Sequence, residues 1–200
     1  MKLCVIGGAG ARSAFLTKSL VKSTRDIRVD HIVLLDNDQQ KLKTYGEISR
    51  ELSRRLDPDL TFEVTSDARA ALTGVDYIIT TIRAGGDAGR LFDEQTCLAH
   101  GVLGQETTGA GGFAMAIRSV PTLVYYCTLA REVANPGHLI FNFTNPSGII
   151  TQALRSKGFD NVYGICDAPS GFIKQLEEIL EIPYGTLDIE CYGLNHLSWF

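Results

Sequence analysis

The feature that most constrains this chain is a short apolar run, Lys2-Leu3-Cys4-Val5-Ile6, that breaks into Gly7-Gly8-Ala9-Gly10-Ala11-Arg12-Ser13. The run has the character of a buried strand, and the amphipathic stretch from Arg12 to Lys22 has helical spacing. Glycines between a strand and a helix allow a tight turn and a close approach of a pyrophosphate to the backbone. The helix start adds free N–H groups and the positive end of its dipole. The motif is an imperfect G-x-G-x-x-G, because Ser13 stands where the last glycine is usual. Asp36 closes the next apolar run, His31–Leu35, where a carboxylate accepts ribose hydroxyls and repels a 2′-phosphate. Gly7, Gly8, Gly10, Ala11, Arg12, Ser13 and Asp36 are therefore candidate contacts to NAD. The alternative is a glycine-rich turn beside a helix-capping Asp.

Strand and helix patterns keep alternating after this opening. Strands are expected at Leu60–Thr65, Tyr77–Ile82, Leu139–Phe143, Val162–Ile165 and Leu187–Tyr192. Helices are expected over Gln39–Leu56, with an apolar face of Leu42, Tyr45, Ile48, Leu52 and Leu56, and over Ala68–Leu72 and Met115–Ala134. Two more follow, Pro146–Lys157 with Pro in its first turn and Ser170–Leu180. Arg83 to Gly112 reads as a polar, Gly-rich stretch broken by a helix from Asp93 to His100. Such alternation implies right-handed crossovers and a doubly wound, mostly parallel Rossmann-like α/β sheet. Residues 1–165 read as that domain, and residues 166–200 as the start of a second, α+β substrate domain.

Composition excludes several other classes. The chain has 200 residues, 44% of them hydrophobic and 21% charged, which is ordinary for a globular protein. Its net charge is −4 and no block of Lys or Arg accumulates, so neither a nucleic acid nor a membrane surface is an expected partner. No segment is expected to reach the apolar length that spans a bilayer. Five dispersed cysteines suit free thiols in a reducing, cytoplasmic setting better than a disulfide framework.

Further candidates follow the later strands. Ile82-Arg83-Ala84-Gly85-Gly86, with Arg90, Asp93 and Glu94, lies at a strand tip, where two guanidinium groups suit a phosphate or carboxylate. A solvated surface loop is the alternative. The run from His100 to Gly112 is rich enough in glycine and hydroxyls to fold over a ligand. Asn145, in Asn142–Ser147, either hydrogen-bonds a sugar or nicotinamide-ribose hydroxyl or caps the following helix. Cys166 and His196 are potential ligands of a divalent transition metal, and Asp167 beside them is a potential general acid. A buried thiol and an ordinary histidine would look the same.

Together these segments resemble family 4 of the glycoside hydrolases, the NAD- and metal-dependent 6-phospho-α- and 6-phospho-β-glucosidases. The resemblance rests on the Gly7–Gly10 turn, Ile82–Gly86, Asp93-Glu94, the Gly-Gln-Glu-Thr core at Gly104–Thr107, Asn142–Pro146, Cys166–Pro169 and Asn195-His196, in that order. It implies hydride removal by NAD from C3 of a 6-phosphoglycoside, metal-assisted elimination of the aglycone from C1, addition of water and return of the hydride. By position it makes Cys166 and His196 ligands of Mn²⁺, Asp167 the acid, and Arg83, Arg90 and Asn145 substrate contacts. The substrate would be a small phosphorylated disaccharide or glycoside, and the full-length enzyme a homo-oligomer. The family's tyrosine base is expected beyond the Asn-His segment, whereas this sequence ends at Phe200. Two other readings are a 2-hydroxyacid dehydrogenase of the lactate/malate type and a non-catalytic NAD-binding remnant.

Overall fold

Short strands that are apolar on both sides need both faces of their sheet covered. The computed structural model, which describes residues 1–194 and 197–200, has that arrangement. Six strands, β1 (Lys2–Ile6), β2 (His31–Leu35), β3 (Thr61–Thr65), β4 (Tyr77–Thr80), β5 (Leu139–Asn142) and β6 (Val162–Gly164), form one parallel sheet. Their order is β3-β2-β1-β4-β5-β6. Helix α1 (Ser13–Ile27) follows β1. The segment after β2 holds α2 (Gln39–Lys41), a π-helical turn (Leu42–Gly46) and α3 (Glu47–Leu56). Later connections carry α4 (Ala68–Leu72), α5 (Gly86–Ala99), α6 (Gly109–Val133), α7 (Ser147–Ser156) and α8 (Ala168–Ile179).

Successive side chains of a strand point to opposite faces. Leu3 and Val5 of β1 join Ile32, Leu34 and Val21 beneath α1. Cys4 and Ile6 join Val33, Leu35, Leu123 and Leu154 beneath α6 and α7. The expected Rossmann-like doubly wound fold is the one observed. Strand order reverses between β1 and β4, so the loops after these two strands diverge and open a crevice at the carboxyl edge of the sheet.

Several local expectations change. The helix expected over Gln39–Leu56 is interrupted by the π turn, and its buried face is Leu42, Gly46, Ser49 and Ser53. Ile48 and Leu56, expected inside, are exposed. A methyl at Gly46 would stand 2.6 Å from Val64 Cγ1, so only glycine lets the turn lie this close to β3. Helix α5 starts at Gly86 rather than near Asp93, after Gly85 at φ +86°. Pro146 is the N-cap of α7 and lies just outside its first turn.

Of the strand expected over Leu187–Tyr192, only Tyr192 is in a strand. The Leu187 N–H is drawn instead to Glu177 Oε1 on α8 at 3.0 Å. The strands that do form there are β7 (Tyr192–Leu194) and β8 (Leu197–Trp199), an antiparallel pair. Contrary to expectation, α6, with 25 residues, is long and apolar enough to cross a membrane by length and composition alone. In this fold it packs on the sheet through Leu123, Cys127 and Ala130, and it carries Arg118 and Arg131.

Candidate functional site

A cleft of about 960 Å³ occupies the crevice between the β1 and β4 loops. One end is built from backbone. Gly7 adopts φ +84°, and a Cβ there would meet the Thr81 carbonyl oxygen at 2.7 Å, which is why the two loops can touch. A Cβ on Gly8 would meet Leu34 Cβ and the Val5 oxygen, both at 2.9 Å, so this glycine serves sheet packing. Gly10 differs, since a Cβ there would find nothing within 4 Å and would project into open space at the cleft wall. The N–H groups of Gly7 and Gly8 both donate to the Leu35 carbonyl, at 2.8 and 3.0 Å. Helix α1 begins with no side-chain cap and no acidic residue in its first turn, which leaves its N-terminus open to an anion.

Asp36 lies half-buried at the tip of β2. Its Oδ2 accepts the Ala9 N–H at 3.1 Å and its Oδ1 the Asp38 N–H at 3.0 Å. These bonds orient the carboxylate and leave lone pairs for another donor. Of the cofactor candidates, Gly7, Gly8, Gly10, Ala11, Arg12, Ser13 and Asp36 all line the cleft.

The other end is built from charged side chains. Arg83 reaches both oxygens of Glu106 at 3.3 Å, and also Asp87 Oδ1 at 2.6 Å. Arg90 bonds Glu94 Oε1 at 2.7 Å and approaches Glu106 Oε2 at 3.2 Å. Burial opposes the charge on Arg83, but Glu106 and Asp87 outweigh it and hold the guanidinium above its ordinary pKa. The two arginines thus converge, as expected, and share one carboxylate, Glu106. That residue was not singled out as a site residue, although it lies within the Gly-Gln-Glu-Thr core. Behind it, Arg118 pairs with both oxygens of the buried Asp93 and donates through Nε to the Ala84 carbonyl at 3.1 Å. This fastens the loop that bears Arg83 to α6.

Asn145 completes the cleft wall, and because the cap of α7 is Pro146, the capping reading of Asn145 falls away. Its neighbour Asn142 is fully engaged inside. Asn142 Oδ1 accepts from Thr80 Oγ1 at 2.8 Å, and its amide faces Thr151 Oγ1 at 3.2 Å. Thr144 Oγ1 accepts the Ile82 N–H at 3.1 Å, so the ends of β4 and β5 hold each other.

Cys166 and Asp167 follow β6 on the same sheet edge, both exposed, with Cys166 Sγ 3.9 Å from Asp167 Oδ1. They do not line the cleft. His196 lies outside the described residues. Among the described residues, no three His, Cys, Asp or Glu side chains converge as a metal cluster. Cleft residues missed by sequence reading include Tyr45 and Tyr126. Both occupy helical core-like spacing, which gives no hint that a ligand cleft lies beside them.

The sheet order, the glycine cradle and the acidic strand tip define the class: a Rossmann-like domain of the dinucleotide-binding type. The particular family follows from comparison with known proteins. The model of "Family 4 glycosyl hydrolase" matches residues 2–182, and the chain belongs to that family. The 6-phospho-beta-glucosidase BglT of Thermotoga maritima is 36% identical over 201 residues, which cover 100% of this chain and 47% of that protein. The phospho-alpha-glucosidase PagL of Clostridium acetobutylicum is 33% identical over 202 residues, 99% of this chain and 45% of that one. A 6-phospho-alpha-glucosidase from gut microorganisms, solved with NAD and Mn²⁺, superposes with a TM-score of 0.92 at 32% identity, over 100% of this chain and 46% of that one. The chain spans about half the length of the curated relatives it matches. Membership sets aside the 2-hydroxyacid dehydrogenase reading.

Proposed function

We propose that the chain is the NAD-binding part of a cytoplasmic family 4 glycosidase acting on 6-phosphoglycosides. The observation that carries this reading is the two-ended cleft at the switch point, with a backbone cradle and Asp36 at one end and Arg83, Arg90 and Asn145 at the other. NAD fits the cradle, because the open Cα side of Gly10 and the uncapped start of α1 leave room and donors for a pyrophosphate. When bound, NAD supplies reversible hydride transfer at C3 of the sugar, which makes the C2 proton acidic enough for elimination of the aglycone from C1.

The chain's own residues then have distinct roles. The N–H groups of Gly10, Ala11 and Arg12 hold the pyrophosphate, since those of Gly7, Gly8 and Ala9 already bond Leu35 and Asp36, with the Arg12 side chain at its rim, and Asp36 accepts the adenine-ribose hydroxyls. Arg83 and Arg90 receive the phosphorylated sugar, and Asn145 donates to a sugar hydroxyl. Asp167 protonates the departing aglycone oxygen. Cys166 with His196 would hold a divalent metal, Mn²⁺, whose chemistry is to polarise the C3 oxygen. A shell of two protein ligands leaves positions for substrate oxygens. The described residues supply Cys166 and not a whole coordination shell, so no further step is assigned to the metal.

Residues 1–165 form the cofactor domain in this reading, and residues 166–200 begin the substrate domain of a homo-oligomeric enzyme. Five free cysteines support a reducing compartment. The test is calorimetric titration of NAD and of Mn²⁺ into the wild-type chain and into Cys166→Ser. Binding of NAD by both proteins, with Mn²⁺ bound by the wild type alone, supports the reading. Absence of NAD binding by the folded wild-type chain overturns it.

A further inference from the structure

The segment after β2 shapes the cofactor end of the cleft. Leu42, Gly46, Ser49 and Ser53, spaced four, three and four residues apart, share its inward face. Tyr45 lies at the edge of that face and lines the cleft beside Asp36, Asp38 and Lys41. Gly46 pins the turn against Val64 of β3, because any Cβ there would sit 2.6 Å from Val64 Cγ1. Asp38 secures the start of the segment, its Oδ1 accepting the N–H groups of Gln40 and Lys41 at 3.1 and 3.0 Å. Tyr45 is half-buried, and its phenol has no hydrogen-bond partner among the described residues. A rigid aromatic ring is thus held at the Asp36 end of the cleft with no task in the core.

The geometry points to Tyr45 as a binding residue for the adenosine half of the dinucleotide, its ring packing against the adenosine beyond the ribose hydroxyls that Asp36 takes. This rests on the NAD reading above and adds a residue to it. An aromatic side chain is suited to this place because it offers a flat, weakly hydrated surface at little entropic cost. The ring and not the hydroxyl supplies the contact, so phenylalanine should serve as well.

The test uses calorimetry on the 200-residue chain with NAD, adenosine 5′-monophosphate and nicotinamide mononucleotide as probes. Tyr45→Ala should weaken NAD and adenosine monophosphate by about tenfold, as loss of one aromatic base contact does elsewhere. Nicotinamide mononucleotide should be unchanged, and Tyr45→Phe should bind all three as the wild type does. Equal NAD affinity in the folded Tyr45→Ala variant and the wild type overturns the assignment. So does an equal loss for both mononucleotides, the mark of a structural residue. Should Tyr45→Ala fail to fold, cross-relaxation between labelled Tyr45 ring protons and the adenosine protons of NAD in the wild-type complex decides. Its presence supports the contact and its absence overturns it. Failure of the wild type to bind NAD is a different result, which removes the cofactor reading itself.

Discussion

Gly8 and Gly10 look alike in sequence, yet the structure assigns them different costs. A methyl at Gly8 has nowhere to go, since the atoms it meets at 2.9 Å are Leu34 Cβ and the Val5 carbonyl oxygen in the middle of the sheet. Overpacking of that kind costs about 1–3 kcal/mol. For a chain of this size each kcal/mol lowers Tm by roughly 2–4 °C, so Gly8→Ala should melt about 2–12 °C lower. Gly10 has no such obstruction and no positive φ. Gly10→Ala should therefore leave Tm unchanged or raise it slightly, because alanine narrows the unfolded ensemble by about 0.4–1 kcal/mol. Its methyl nevertheless projects into the cleft at the place proposed for the pyrophosphate. Losing one N–H bond to a charged phosphate costs about 1.5–3 kcal/mol, or roughly ten- to a hundredfold in Kd for NAD. Thermal melts and calorimetry on the two variants separate these effects. A Gly10→Ala protein that binds NAD within twofold of wild type, or melts as low as Gly8→Ala, would refute the argument.

Arg118→Met leaves the Asp93 carboxylate, 8% exposed, without its cation. Breaking a fully buried pair costs about 3–5 kcal/mol, and because Arg118 is 30% exposed we expect about 2 kcal/mol in urea unfolding, partly restored by adding Asp93→Asn. Burial raises the Cys4 and Cys127 thiols from 9.0 to about 12, so folding stability is intact below pH 9 and falls as the unfolded thiols ionise between those values. Urea titrations between pH 8 and 10.5 should show the decline, and stability that rises with pH there would contradict it. At pH 8 a thiol reagent should modify the exposed Cys166 and Cys191 at once and Cys4, Cys97 and Cys127 only on unfolding.

Sequence patterns specified the centre of the sheet well because β1 and β2 are short apolar runs, ending at Gly7 and Asp36, that are buried on both faces. Ala68–Leu72 agrees with the sequence expectation residue for residue. The failures have local physical causes. The expected face through Tyr45 and Ile48 followed the large apolar side chains, whereas the buried face carries Gly46, Ser49 and Ser53, small residues that an apolar pattern does not pick out. Leu187–Tyr192 has a strand's composition, but the Leu187 N–H donates to the Glu177 carboxylate on α8 instead of to a neighbouring strand. At the cleft, the place of the glycine turn and Asp36 was legible because each directly follows a strand of the sheet. The union of Arg83, Arg90 and Glu106 was not, since Glu106 lies 23 residues from Arg83 and only the packing of α5 and α6 brings them together.

That union also distinguishes the two ends of the cleft. The cofactor end is formed by backbone that other backbone holds in place, so a dinucleotide meets donors already fixed and little has to reorganise. At the end proposed for the sugar, Arg83 and Arg90 face three carboxylates, Asp87, Glu94 and Glu106, so the local charge is unfavourable for a phosphate. An entering anion has to take the guanidinium groups from Glu106, whose side chain is 14% exposed and would be left to find other donors. Exchange of one charge-assisted partner for another costs far less than exposing a charge without one. Selectivity at this end then follows from geometry. If this end takes the proposed phosphorylated sugar, one able to engage both guanidinium groups while a hydroxyl occupies Glu106 would be favoured over inorganic phosphate, which satisfies the arginines and strands the carboxylate.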